Sequence, residues 1–100
     1  MFFGRSWDSW IADYALSHQN PVNRTCHTFG IPMIVISLVV GVFSFGVAGL
    51  WPYALGLFVA GWALQIIGHV FEGKPPEFLR DWRFLFVGLR WWAVKMAGRA

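Results

Sequence analysis

The stretch that decides the fold is Thr25–Phe71, TCHTFGIPMIVISLVVGVFSFGVAGLWPYALGLFVAGWALQIIGHVF, which contains no Lys, Arg, Asp or Glu. It runs for 47 residues, whereas one membrane crossing needs only about 20. Its middle, Gly46-Val-Ala-Gly-Leu-Trp-Pro52, combines glycines, a proline and a Trp of the kind found at membrane boundaries. The pattern predicts two spans, residues 28–48 and 52–71, joined so tightly that they form an antiparallel hairpin. Small residues spaced by four, Ser37/Gly41, Ser44/Ala48 and Gly56/Ala60, are candidate points of close helix approach.

Working outward, all the basic residues lie outside the hairpin. Arg5 and Arg24 precede it, and Lys74, Arg80, Arg83, Arg90, Lys95 and Arg99 follow it. The positive-inside rule places both termini in the cytoplasm. Hydrophobic residues make up 57% of the chain and charged residues 13%, about half the usual charged share. One hundred residues form a single domain, 1–100, and cannot bury so much apolar surface in their own core. The excess must face lipid or partner chains, a homo-oligomer included. The net charge of +3 flanks the apolar spans instead of forming one stripe, which argues for anionic headgroups and against nucleic acid. Cys26 is the single cysteine, so an intramolecular disulfide is excluded. The N-terminus, Met-Phe-Phe-Gly-Arg-Ser, offers no apolar stretch long enough for a cleaved signal peptide.

The flanks read as amphipathic helices. Ser6 is a cap residue with Asp8 in the first turn, and Trp7, Trp10, Ile11, Tyr14 and His18 share one face. Residues 6–18 are therefore expected to lie on the membrane surface as a helix, ended by Pro21. Beyond Gly73-Lys-Pro-Pro76, residues 77–98 form a second such helix. Phe78, Trp82, Leu85, Leu89, Trp92 and Met96 make its apolar stripe, and Arg80, Asp81, Arg83, Arg90, Lys95 and Arg99 its polar side. The expected architecture is an all-α membrane protein: a two-span helical hairpin between two interfacial helices.

An even number of crossings returns the chain to its starting side. His18 and His27 before the hairpin, and His69 and Glu72 at its end, therefore meet at the cytoplasmic boundary. Gln65, His69 and Glu72 lie on one face of the second span, and ionisable groups in a span face the protein interior or a hydrated cavity. His18, His27, His69 and Glu72 are candidate metal ligands, in a set that suits Fe(II), Zn(II) or Mn(II). A lone boundary histidine commonly bonds a backbone carbonyl instead, but three converging on one place favour a metal. Glu72 either ligates or orients a ligating histidine. Asn20, Asn23 and Gln65 are supporting polar groups, the two asparagines also serving to cap and turn the loop. Arg24 is either a positive-inside anchor or the partner of a headgroup or substrate carboxylate. Cys26 fits a small apolar packing role better than a ligand role.

No Ser–His–Asp arrangement and no glycine-rich phosphate loop is present, and three histidines are too few for the histidine-box di-iron enzymes. A mononuclear centre with open positions for substrate and dioxygen is what this set can supply. The rival readings are a lipid-binding or scaffolding module, and a zinc-dependent lipid hydrolase.

The combination His18-x-x-Pro-x-Asn-Arg-x-x-His27, apolar hairpin, Gly68-His69-x-Phe71-Glu72-x-x-Pro75 resembles the Mpo-like family of small membrane proteins over about residues 6–83. The resemblance implies an iron(II)-dependent dioxygenase that shortens long-chain 2-hydroxy fatty acids by one carbon. It places the family histidines on His18, His27 and His69 and the acidic position on Glu72, with Arg24 neutralising the acid. It also implies an endoplasmic reticulum location in a eukaryote, while the compact chain suggests a bacterial inner-membrane member. The chain departs from the family where Lys74-Pro75-Pro76 stands for the usual Arg-Pro-Ala. It is also shorter, with fewer spans, than the fungal member.

Overall fold

The computed structural model describes residues 1–98; Arg99, assigned above to the polar side of the last helix, lies outside them. Among the described residues four α-helices form: α1 (Trp7–Ala15), α2 (Pro21–Phe43), α3 (Trp51–Glu72) and α4 (Phe84–Met96). No strand forms among the described residues. Single 3₁₀ turns, Ala48–Leu50 and Glu77–Leu79, lead into α3 and toward α4.

α2 and α3 form the expected hairpin, and both are long and apolar enough to cross a membrane. Only 22% and 28% of their apolar windows are buried within the fold, so these are not the enclosed helices of a water-soluble core. Val39, Val42, Leu55, Val59 and Ile66 are exposed on the outer faces, a surface that lipid would cover and water would not.

The first span begins seven residues before the expected position 28. Pro21 does not simply end the preceding helix; it is the first residue of the next. Asn20, in an extended conformation, caps α2 by accepting from the Val22 amide at 2.9 Å. A proline at the first helical position loses no hydrogen bond there, because that N–H has no intrahelical acceptor. Asn23, Arg24 and His27 are consequently helical, and α2 stops at Phe43 instead of reaching residue 48. The second span, at 51–72, matches the expected 52–71 within a residue at each end, and Gly73 closes it at φ +75.

The spans approach most closely at glycines other than those expected. A Cβ on Gly61 would lie 2.7 Å from Ile34 Cγ1 and 3.0 Å from the Gly30 oxygen. One on Gly68 would run into Asn23 Oδ1. Of the predicted small residues, Ser37 is buried and Gly41 sits within reach of Ala54, but Gly56 faces open space and Ala60 is exposed. Four-residue spacing places two residues on one face without saying which face meets the partner.

α1 and α4 pack on each other across the open end of the hairpin. Ser6 caps α1 as expected, accepting from the Ser9 amide. The helix ends at Ala15 instead of residue 18, and the backbone continues in a tighter turn, with the His18 amide bonded to the Ala15 oxygen at 3.1 Å. Its aromatic stripe does not lie open to lipid: Trp10 and Tyr14 are buried in a core shared with Phe84, Val87 and Trp91.

α4 departs most from expectation. Only residues 84–96 of the predicted 77–98 form the α-helix; Glu77–Leu79 is a 3₁₀ turn, and residues 80–83 link it to α4. The buried face is Phe84, Val87, Gly88 and Trp91, while Trp82, Leu85, Leu89 and Met96 of the predicted stripe are exposed. The basic residues also have partners. Arg80 pairs with Asp13 and Glu77, Arg83 pairs with Asp81, and Arg90 lies 5.0 Å over the Trp7 ring.

Hydrogen bonds from Trp92 and Lys95 fasten α4 to the hairpin. Pro32 has no N–H to offer the Thr28 carbonyl one turn back. The Trp92 indole N–H donates to that oxygen at 2.9 Å, and Lys95 Nζ donates to Thr28 Oγ1 at 2.6 Å.

Candidate metal centre

Three chain segments each deliver one histidine to the open end of the hairpin. His18 follows α1, His27 lies in the second turn of α2, and His69 in the last turn of α3. All three are buried, and one ring nitrogen from each lies within 4.8 Å of the others. The Tyr14 ring stacks on His18 with centroids 3.9 Å apart and planes 11° from parallel.

The hydrogen bonds set the tautomers. His18 Nδ1 lies 2.7 Å from the Tyr14 oxygen, and His27 Nδ1 lies 3.0 Å from the Asn23 oxygen. A carbonyl only accepts, so each Nδ1 carries the proton and donates it. Each Nε2 then presents a lone pair, and the two face each other at 3.2 Å. Two facing lone pairs repel unless a cation lies between them. A proton is a poor candidate: burial first, and then neighbouring His27, push the His18 pKa down to about 3. A metal ion fits, because adjacent ligands at about 2.1 Å from one ion stand roughly 3.0–3.4 Å apart. His69 adds a buried Nδ1 with no protein partner. Donation of the remote N–H to a carbonyl is also the usual support of a metal-bound imidazole.

Glu72 is not part of this cluster. Its Oε1 accepts from the Asn20 amide at 2.8 Å and from Asn23 Nδ2 at 3.1 Å. The carboxylate thus sits on the N-terminus of α2, where the helix dipole favours an anion. Asn20 reciprocates through Nδ2, donating to the Phe71 oxygen at 3.1 Å, one of the carbonyls left free at the end of α3. Asn23 is fully buried, and the same Nδ2 also donates to the Ser17 oxygen at 3.0 Å. One side chain therefore touches the residue before His18 and the residue three after His69, while its own carbonyl orients His27. Lys74 adds a bond to the Leu16 oxygen at 2.9 Å.

Arg24 is half-buried, with its guanidinium 5.9 Å from the Trp91 ring centre. Among the described residues no carboxylate pairs with it. Cys26 packs toward Gly68 and stands outside the cluster. Gln65 is buried one turn before His69, and its Oε1 has no partner.

An apolar cavity of about 340 Å³ opens from the histidines. Tyr14 and the three histidines form one end, and Ile34, Leu38, Phe58, Trp62 and Phe84 line the remainder. From His27 to Leu38 the wall runs eleven residues, about 16 Å of helix, which matches roughly 13 bonds of an extended chain.

The roles of Tyr14, Ser17 and the α4 wall do not emerge from the sequence reading. A signal for α4 exists: Phe84, Val87, Gly88 and Trp91 recur at three and four. Gly88 is required there, since a Cβ would lie 2.8 Å from the Tyr14 hydroxyl.

Residues 5–100 match a family described as 2-hydroxy-palmitic acid dioxygenase Mpo1-like, and the chain belongs to that family. No curated protein and no solved structure matches the chain.

Proposed function

We propose that this protein is an iron(II)-dependent dioxygenase of the membrane boundary that shortens long-chain 2-hydroxy fatty acids by one carbon. The observation that carries the reading is the pair of inward-facing imidazole lone pairs at 3.2 Å, completed by His69 and opening into an apolar cavity. Family membership points to the same chemistry.

One 2-hydroxy acid and one dioxygen give the acid one carbon shorter, carbon dioxide and water, as the bond between C1 and C2 breaks. His18, His27 and His69 would hold the iron, which supplies the redox chemistry that dioxygen needs to react with a closed-shell acid. Three protein ligands leave positions free.

The chain itself binds and orients. The cavity takes the acyl tail, and each buried CH₂ contributes about 0.8 kcal/mol of binding. Arg24, without a carboxylate partner among the described residues, neutralises the acid headgroup at the rim or anchors an anionic lipid beside it. Asn20, Asn23 and Glu72 hold the histidine-bearing segments in register, so Glu72 acts by positioning and not by ligation. The apolar walls of α2, α3 and α4 exclude bulk water. Both termini lie on the cytoplasmic side, where the basic residues cluster, in the inner membrane of a bacterium or the endoplasmic reticulum of a eukaryote.

The test is purification in detergent, metal analysis, and incubation with Fe(II), oxygen and 2-hydroxypalmitate. One equivalent of bound iron and the fifteen-carbon acid are the expected results. Failure to bind iron, or no shortened acid from iron-loaded protein, refutes the proposal. Stoichiometric zinc with lipid hydrolysis would favour the hydrolase, and no metal at all a scaffold.

A further inference from the structure

Among the described residues, three buried side-chain atoms lack a hydrogen-bond partner: His69 Nδ1, Asn23 Oδ1 and Gln65 Oε1. The first belongs to the metal centre. The second is turned into the helix interface against Gly68. Gln65 is different, because it also lines the cavity.

We propose that Gln65 recognises the 2-hydroxyl group of the bound acid and so sets the preference for 2-hydroxy over unsubstituted fatty acids. This rests on the dioxygenase reading above and adds the residue that reads the substrate.

Gln65 is 8% exposed on a helix whose other cavity-facing residues, His69 apart, are apolar. A buried amide without partners is costly, so its retention calls for a ligand that completes it. Space for it is built into the opposite span: a Cβ on Gly30 would lie 3.2 Å from Gln65 Oε1. Its place is also suited to the task. It stands one turn from His69, about 6 Å along α3 toward the hairpin tip. A fatty acid with its carboxyl end at the histidines and its tail toward Leu38 and Phe58 passes the amide with its first carbons. The unmatched atom is a carbonyl oxygen beside Gly30, which a turn of the side chain brings to the ligand and which can only accept. An ionised carboxylate and a methylene carry no donor, whereas a 2-hydroxyl carries one. Binding an unsubstituted acid would leave Oε1 buried and unpaired, and a site built to bond a hydroxyl rejects the analogue lacking it.

The experiment uses the full chain in lipid nanodiscs. Tryptophan fluorescence follows binding of 2-hydroxypalmitate and of palmitate, with metal content and melting temperature measured in parallel. Wild type is expected to bind 2-hydroxypalmitate at least about tenfold more tightly than palmitate. In Gln65→Leu, and in the length-matched Gln65→Met, the preference is expected to fall to about twofold or less. Metal content stays unchanged. The ligand-free melting temperature holds or rises, because an unpaired amide has been replaced by an apolar group. Variants that keep the preference, or that both melt at a lower temperature than wild type, overturn the role of Gln65 and leave the dioxygenase reading standing. Wild-type protein that makes no shortened acid overturns that reading, and this proposal with it.

Discussion

Replacing Asn23 by Asp tests the clasp that unites the three histidine-bearing segments. The two side chains have the same shape, so the change creates no cavity. It exchanges the Nδ2 donor for an oxygen facing two acceptors, the Ser17 oxygen at 3.0 Å and Glu72 Oε1 at 3.1 Å. A neutral hydrogen bond contributes about 0.5–1.5 kcal/mol and one to a charged group about 1.5–3 kcal/mol. The sum is about 2–4.5 kcal/mol, before the repulsion between two neighbouring carboxylates. Reversible unfolding in mixed micelles measures the loss. Glu72→Gln should rescue part of it, because it removes the repelling charge while the amide oxygen still accepts from the Asn20 N–H. The double variant is therefore expected to be more stable than Asn23→Asp alone by about 1.5 kcal/mol or more. Metal affinity should fall about 10–100-fold in the single variant, since Asn23 supports His27 directly and His18 through Ser17. A loss below about 1 kcal/mol, or no rescue by Glu72→Gln, would refute the clasp.

Other outcomes follow from the same geometry. Trp92→Phe leaves the Thr28 carbonyl bare opposite Pro32 and should cost about 1–3 kcal/mol; with Pro32→Ala, which restores the helical N–H, unfolding assays should find most of that cost gone. Gly61→Ala forces a methyl against Ile34 and the Gly30 backbone and should cost about 1–3 kcal/mol. Gly56→Ala, facing open space, should be neutral or stabilising by up to about 1 kcal/mol; equal effects at the two glycines would contradict the packing. Fe(II) or Zn(II) at about 100 times its Kd should stabilise the wild type by about 2.7 kcal/mol. Titration calorimetry and thermal melts should find both binding and stabilisation absent in His27→Ala.

The hairpin was legible because hydropathy is a local, additive property. A charge-free run from Thr25 to Phe71 needs no knowledge of what it touches. The convergence of the histidines was legible for a related reason: an even number of crossings returns the chain to one side whatever the helix rotations. Rotation is where the reading stopped. Leu85 and Phe84 are adjacent and equally apolar, yet one faces outward and the other is buried. In a chain surrounded by lipid, apolar character no longer separates the inner face from the outer. Glycines and polar residues mark the inner face instead, as at Gly61, Gln65, Gly68 and His69 on α3.

Pro21 illustrates a second limit. The same residue can follow one helix or open the next, and the choice lay in Asn20, whose cap on α2 is reinforced by its contacts with Glu72 and Phe71. Those partners are about fifty residues away in the chain, so no local pattern holds the information.

The amino-acid sequence by itself determined that this chain is a helical hairpin carrying three histidines to one end, because apolar length and the parity of the turns are set by composition along the chain. Only the tertiary structure decided that two imidazoles face each other with bare lone pairs, that Glu72 accepts from Asn20 and Asn23, and that a cavity runs from the centre past Gln65. Those outcomes depend on ångström-scale distances between helices, and those distances come from how α1 to α4 pack together.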